Sequence, residues 1–291
     1  AEDGIRDSST SRGLGDVYKR QVVMSLPPIL NRALKSAYDG ANEIIHFSKR
    51  IDNVKVINKG INDVTTNIEP FIEEKVFESL KKYYPEFNFF GEESGTDGIE
   101  KSDSYWLLDP LDGTRNFIHQ YPHYSLSLAC VCEGKVVCAV IIDPVRNEVF
   151  CAGKDTGALL NNRRNRASKK EGLSNALLSN SSHFNKKHSY KYELLKTFGE
   201  LNKYNISIRK SGCVSLDLVY VAAGRLDGFW GNGLEKWDRF GGLFIGQAAG
   251  CLTTSFDGVP DNFDSDHVII STPKCFKDLS KCVVTGFQSI E

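Results

Sequence analysis

The sequence predicts a layered α/β fold. Helix-period and strand-like runs interleave along it without the strict beat of a βαβ sheet, and its 291 residues can bury a sizeable core. From Pro27 to Arg50, apolar residues Ile29, Leu30, Ala33, Leu34, Ala37, Ala41, Ile44 and Ile45 recur at helical spacing. A second helix is expected from Glu69 to Tyr83, with Pro70 in the first turn, where a missing N–H costs nothing. Short β-rich runs follow at Phe87–Phe90, Tyr105–Asp109, Tyr124–Cys132, Lys135–Asp143 and Glu148–Cys151, with Glu133-Gly134 as a hairpin turn. The second half predicts helices at Ser189–Phe198, Ser215–Ala223, Trp237–Ala249 and Phe276–Val283. Its strands are expected at Asn205–Arg209, Leu226–Trp230, Cys251–Thr254 and His267–Ser271.

Charge and cysteine usage narrow the classes. Thirty-six basic residues nearly cancel 37 acidic ones, so no global field advertises nucleic acid or an anionic membrane as partner. No apolar run reaches the roughly 18 residues of a membrane helix, and the chain reads as cytoplasmic. Most of the eight cysteines sit in apolar strand-like runs (Cys130, Cys132, Cys138, Cys151) and read as reduced, structural side chains. Pro122, between His119 and His123, argues against the helix that their metal-ligand spacing would need. Residues 1–23 are rich in Gly, Ser and charge without periodicity. Met24 is the only methionine, and the segment before it reads as a leader outside the fold. Residues 24–291 then form a single domain with two αβ halves, about 24–165 and 166–291.

The chemistry concentrates in three segments. In Trp106-Leu-Leu-Asp109-Pro-Leu-Asp112-Gly113-Thr114, a strand delivers Asp109 at its end, Pro110 forces a turn, and Asp112-Gly113 opens the next element. Two carboxylates across such a turn can address one spot, which suits a hard divalent cation, and the Leu111 carbonyl lies between them. A helix starting at Gly113-Thr114 would offer free N–H groups to phosphate oxygens. Phe89-Phe90-Gly91-Glu92-Glu93-Ser94 is a second apolar strand ending in acids, and Trp237-Asp238 opens a predicted helix. Taken singly, these are an ordinary Asp-Pro turn, a solvated Glu-Glu loop and a dipole-favoured helix start.

Together they resemble the inositol monophosphatase family, closest to its bacterial members. The resemblance runs from Met24 to the C-terminus through GEES (91–94), DPLDGTRNF (109–117), YPHYSLSLA (121–129), DPVRNEVF (143–150), LDLVYVAAGRLDGFW (216–230) and WDRFGG (237–242), with KGINDVTTNIE (59–69) ahead of the second helix. It implies an αβαβα sandwich, commonly a homodimer, and a phosphoric monoester hydrolase often inhibited by lithium. Glu92, Asp109, Asp112, Asp238 and the Leu111 carbonyl would ligate two or three Mg²⁺ ions. Gly113 and Thr114 would hold phosphate beside Asp112 and Asp238. Thr114, paired with Glu69, would help activate a water on the metals for in-line attack, with Glu92 also counted as catalytic. Gly212, Cys213 and Val214 would contact substrate through their backbone, and Lys59 would stand near the site.

Three positions depart from the family pattern. Glu69 stands where the family has Asp, Gly231 replaces a Glu that binds a substrate hydroxyl, and Arg239-Phe240 replaces smaller residues after Trp237-Asp238. Asn232 is the neighbour that could compensate for Gly231. The expected substrate is inositol monophosphate or a related sugar or polyol phosphate. The alternatives are a 3′(2′),5′-bisphosphate nucleotidase, disfavoured by RNF after DGT, and a non-catalytic partner of the transcription machinery in antitermination.

Overall fold

A computed structural model describes residues 26–60, 63–95, 103–182, 191–260 and 263–287. Residues 1–23, expected as a leader, and Ser189 therefore lie outside the described residues, as does the side chain of Lys59. Helix α1 (Pro28–Ser48) buries Leu30, Ala33, Leu34, Ala37, Ala41 and Ile44 along one stripe. It packs beside α2 (Glu69–Lys81), which carries Pro70 in its first turn. Between them run β1 (Val56–Gly60) and β2 (Asp63–Thr66), an antiparallel pair.

A seven-stranded sheet forms the first half. It comprises β3 (Asn88–Gly91), β4 (Ser104–Asp112), β5 (Ser125–Cys132), β6 (Lys135–Asp143), β7 (Glu148–Gly153), β8 (Gly157–Leu160) and β9 (Arg163–Arg164), in chain order. Only β3 and β4 pair in parallel. A short helix, α3 (Thr114–Ile118), follows β4. The β5–β6 turn is Glu133-Gly134, both at positive φ (51° and 70°), the backbone of a tight hairpin whose twist matches its strands.

Alternation along these strands divides two cores. Trp106, Leu108, Leu128, Cys130 and Val140 face α1 and α2, while Leu107, Ala129, Val131, Ala139 and Ile141 face α5 (Val214–Ala222) and α6 (Lys236–Ala248). The far sides of α5 and α6 cover a second sheet, where Leu218 and Leu243 meet Phe229, Val268 and Ile270. This five-stranded sheet is ordered β11 (Ser207–Arg209), β10 (Leu177–Ser182), β12 (Gly228–Asn232), β14 (Val268–Ser271) and β13 (Leu252–Thr254). Its outer face, with Leu178, Trp230 and Ile269, is closed by α4 (Lys191–Asn202) and α7 (Pro273–Phe287). The order of layers is αβαβα, with α5 and α6 shared by both sheets.

Departures from the expected elements have local causes. β1, β2, β8, β9 and β10 carry little apolar alternation; β10 reads Leu-Leu-Ser-Asn-Ser-Ser and is held by parallel pairing to β11 and β12. Helix α7 is longer than expected at both ends because Pro273 can open it and its apolar stripe ends only at Phe287. All eight cysteines are free thiols and seven are buried. Cys130 and Cys132 share the α1 side of the sheet as strand spacing requires, with sulfurs 3.9 Å apart. Among the described residues, no helix is long and apolar enough to cross a membrane.

Candidate active site

The site is made by an irregularity in β4. Asp109 pairs with Ser127 and Asp112 with Ser125, so three residues of β4 advance while β5 advances two. Residues three apart on a regular strand face opposite ways; this bulge turns both carboxylates to the same face. Ser127 shows which face, since its hydroxyl donates to the Trp237 carbonyl at 3.3 Å, at the start of α6. Each Asp is aimed by backbone amides. Asp109 is 1 % exposed and accepts from Leu111 N–H at 2.9 Å. Asp112 Oδ2 accepts from the Ser215 N–H and hydroxyl, both at 2.6 Å, and from the Cys213 thiol at 3.3 Å.

Two more acids come from other elements. Glu92 sits on the turn after β3, its N–H donating to the Leu108 carbonyl. The turn is fixed from behind by Glu73, buried on α2, whose carboxylate accepts from the N–H groups of Glu93 and Ser94. Asp238 is the third residue of α6 and makes a capping box with Glu235: the Glu235 N–H donates to Asp238 Oδ2 at 3.0 Å.

The acids influence one another electrostatically. Burial first, then the charges of Asp238, Glu93 and Asp112, push Glu92 up to about 8, against a lowering hydrogen bond with Asp109. Burial and the Asp112 charge push Asp238 up to about 8 as well. Asp109 is raised well above the usual carboxylate range by burial and by Glu92, Asp112 and Asp238. Among the described residues no group of three or more His, Cys, Asp or Glu side chains is placed to hold a metal ion. The acids meet as a shared, repelling field. Buried like charges of this kind are costly unless protonated or neutralised by a cation, and an all-oxygen set suits a hard one such as Mg²⁺. In chemistry the residues fit that ion.

Glu69, 1 % exposed, is likewise raised to about 8, by burial first and then by Glu92 and Glu93. Its hydroxyl partners are Thr65, bonded to Glu69 Oε2 and also to Glu93 at 2.9 Å, and Thr66, at 3.2 Å. Thr114, expected as its partner, instead donates to the Leu111 carbonyl at 3.1 Å. The longer Glu stem at 69 finds the threonines of its own approach strand. Thr65 and Thr66 were legible only as a Thr-Thr pair three and four residues before the acid.

Gly113 adopts φ 95°, the left-handed turn that lets α3 begin at Thr114. Asn116 on α3 donates to the carbonyls of His123 at 2.7 Å and Ser211 at 2.9 Å, tying α3 to the 211–214 segment. In that segment Gly212 is exposed, whereas Cys213 and Val214 are buried and the Cys213 N–H donates to Ser211 Oγ. Ser215, which sequence reading missed, binds Asp112 where substrate contacts were expected. Gly231 is buried in β12, and a Cβ there would lie 2.9 Å from Leu234, Phe229 and the Ser181 carbonyl, so packing fills the space beside it. Asn232 is fully buried one residue further along the strand.

An αβαβα sandwich with carboxylates from separate elements gathered between its layers has the architecture of a phosphatase-fold protein. The family model for the inositol monophosphatase family matches residues 26–285, and the chain belongs to that family. It is 39 % identical over 257 residues to "Nus factor SuhB" of Pseudomonas aeruginosa, covering 87 % of this chain and 95 % of that one. The protein of that name from Escherichia coli is 35 % identical over 250 residues, covering 86 % and 93 %. Among solved structures, the extragenic suppressor protein suhB from Bartonella henselae superposes with a TM-score of 0.82 at 30 % identity, covering 90 % of this chain and all of that one. An IMPase from Thermotoga maritima gives a TM-score of 0.76 at 31 % identity, covering 87 % and 95 %.

Proposed function

We propose that this protein is a Mg²⁺-dependent phosphatase of a small phosphate monoester, most readily inositol monophosphate or a related sugar or polyol phosphate. The observation that carries the reading is the bulge that turns Asp109 and Asp112 to one face, within the field of Glu92 and Asp238. These four carboxylates and the Leu111 carbonyl would hold the cations. When bound, Mg²⁺ supplies positive charge opposite the phosphoryl oxygens and acidifies water. The chain contributes orientation and proton handling: α3 and Gly113 offer amides to the phosphate, and Glu69, through Thr65 Oγ1, can accept and hold a proton. Phosphoryl transfer asks for such positioning more than for covalent chemistry.

The test is turnover of inositol 1-phosphate by the purified chain, with and without Mg²⁺, beside adenosine 3′,5′-bisphosphate. Mg²⁺-dependent release of phosphate from the first substrate supports the reading; preference for the second moves the protein to the nucleotidase branch. No turnover of any monoester in a panel would overturn it.

The relatives named Nus factor favour a second role, contact with the transcription machinery, in addition to catalysis. Recovery of purified transcription factors by wild type and Asp112→Asn alike would establish it as independent of the acids. The same reading makes the protein a cytoplasmic homodimer, which sedimentation and cell fractionation test.

A further inference from the structure

Arg239 is 2 % exposed, an unusual place for a guanidinium, and it stands next to Asp238 in the first turn of α6. Its Nε donates to the Leu234 carbonyl at 3.1 Å, and its Nη1 donates to the Phe263 carbonyl. The guanidinium also lies 5.1 Å from the centre of the Phe240 ring, which meets Phe263 edge to face. Leu234 is itself tied to the same far loop, its N–H donating to the Asp266 carbonyl at 3.1 Å.

The peptide unit between Leu234 and Glu235 is therefore gripped at both ends. Its C=O accepts from Arg239, and its N–H is the group that donates to Asp238 Oδ2 at 3.0 Å. A peptide is planar and rigid, so fixing its carbonyl fixes the direction of its N–H. We propose that Arg239 is a positioning residue that sets the orientation of Asp238 for cation binding by clamping the Leu234–Glu235 peptide. This rests on the reading of Asp238 as a cation ligand. The fork matters more than the charge, because Nε and Nη1 must reach two carbonyls in different loops at once, and a lysine ammonium has no such planar pair of donors.

The experiment is calorimetric titration of the metal-free protein with Mg²⁺, with folding checked by thermal unfolding. Arg239→Lys and Arg239→Gln are both expected to weaken Mg²⁺ binding about tenfold, the scale on which outer partners of a ligand act. Glu235→Pro gives a second handle: Glu235 has φ −73°, which proline tolerates, and the change removes the N–H while leaving Arg239 in place; Glu235→Ala, which removes only the carboxylate of the capping box, is its control and should keep Mg²⁺ binding near wild type. Glu235→Pro is expected to weaken Mg²⁺ to a similar extent, and Arg239→Lys combined with Glu235→Pro should weaken it no further than either alone. If Arg239→Gln does not fold, Arg239→Lys, which keeps the charge and loses the fork, carries the test beside Glu235→Pro. Wild-type affinity in the folded variants, full rescue by lysine, or additive losses would overturn the clamp while leaving the phosphatase reading standing. A wild-type protein that binds no Mg²⁺ would remove both.

Discussion

Gly91 lies so close to Glu73 that a Cβ built on it would overlap the Glu73 carboxylate. That carboxylate holds the N–H groups of Glu93 and Ser94, and with them the turn that presents Glu92. Gly91→Ala must push Glu73 away and leave both amides without their acceptor. We expect a loss of about 1–3 kcal/mol in urea unfolding, the usual cost of overpacking. Phosphatase activity should fall more steeply than stability, because Glu92 moves with the turn. Unchanged unfolding and turnover would show that the turn does not depend on Glu73.

Asp109→Asn keeps the acceptor for the Leu111 N–H but takes a charge out of a crowded, buried group. The variant should fold at least as stably as wild type without metal. It should lose Mg²⁺-dependent turnover and the rise in Tm that Mg²⁺ gives, which for a site filled at a hundred times its Kd is worth about 2.7 kcal/mol. Asp112→Asn should lose activity likewise, with a stability cost, since Oδ2 carries three bonds to α5 and its cap. Thermal scans with and without Mg²⁺ decide both.

Glu69, Glu92 and Asp238 are each raised to about 8 by burial and neighbouring acids. Carboxyls in the unfolded chain titrate near about 4, so between roughly pH 4 and 8 the folded protein holds more protons than the unfolded one. The contribution of these groups to stability falls as pH rises through that window. Metal-free protein should lose Tm from pH 5 to 8 more steeply than Glu92→Gln. Mg²⁺ must displace the same protons, so binding should tighten toward pH 8 and release protons at pH 7, read by calorimetry in buffers of different ionisation heat. A Tm slope equal in wild type and Glu92→Gln would refute the shared field.

Gly231→Glu tests whether β12 can admit a side chain at this point. With Leu234, Phe229 and the Ser181 carbonyl 2.9 Å from any Cβ, the carboxylate has no room to take up the role of the family's Glu. The expected result is destabilisation of about 1–3 kcal/mol with no gain in preference for inositol phosphate. A stable variant with a shifted substrate profile would mean that β12 yields at this point.

Sequence made the long, periodic elements and the pairing of Asp109 with Asp112 legible, because helix stripes and the Asp-Pro-Leu-Asp-Gly run carry their own signals; the turn expected at Pro110 is instead a bulge inside β4, which runs on to Asp112 because β5 pairs with it past the proline. What it concealed was set by distant partners. β10 is polar and becomes a strand only between β11 and β12. Thr65 and Arg239 acquire meaning from Glu69 and Leu234, four and five residues away, whereas Ser215 answers Asp112 from 103 residues further on. Gly231 could be flagged as a departure, but that its space is filled needed Leu234 and Ser181 in place.

Asp112 reaches across 103 residues to the first turn of α5. A ribosome that has released only the seven-stranded sheet has made Glu92, Asp109 and Asp112, yet the last of these still lacks the amide that aims it. Asp238 emerges later still. Under the proposed reading, a nascent chain therefore has no complete receptor for cations until α5 and α6 have docked on the first sheet, and hydrolytic competence becomes a late checkpoint of synthesis, closed to shorter fragments.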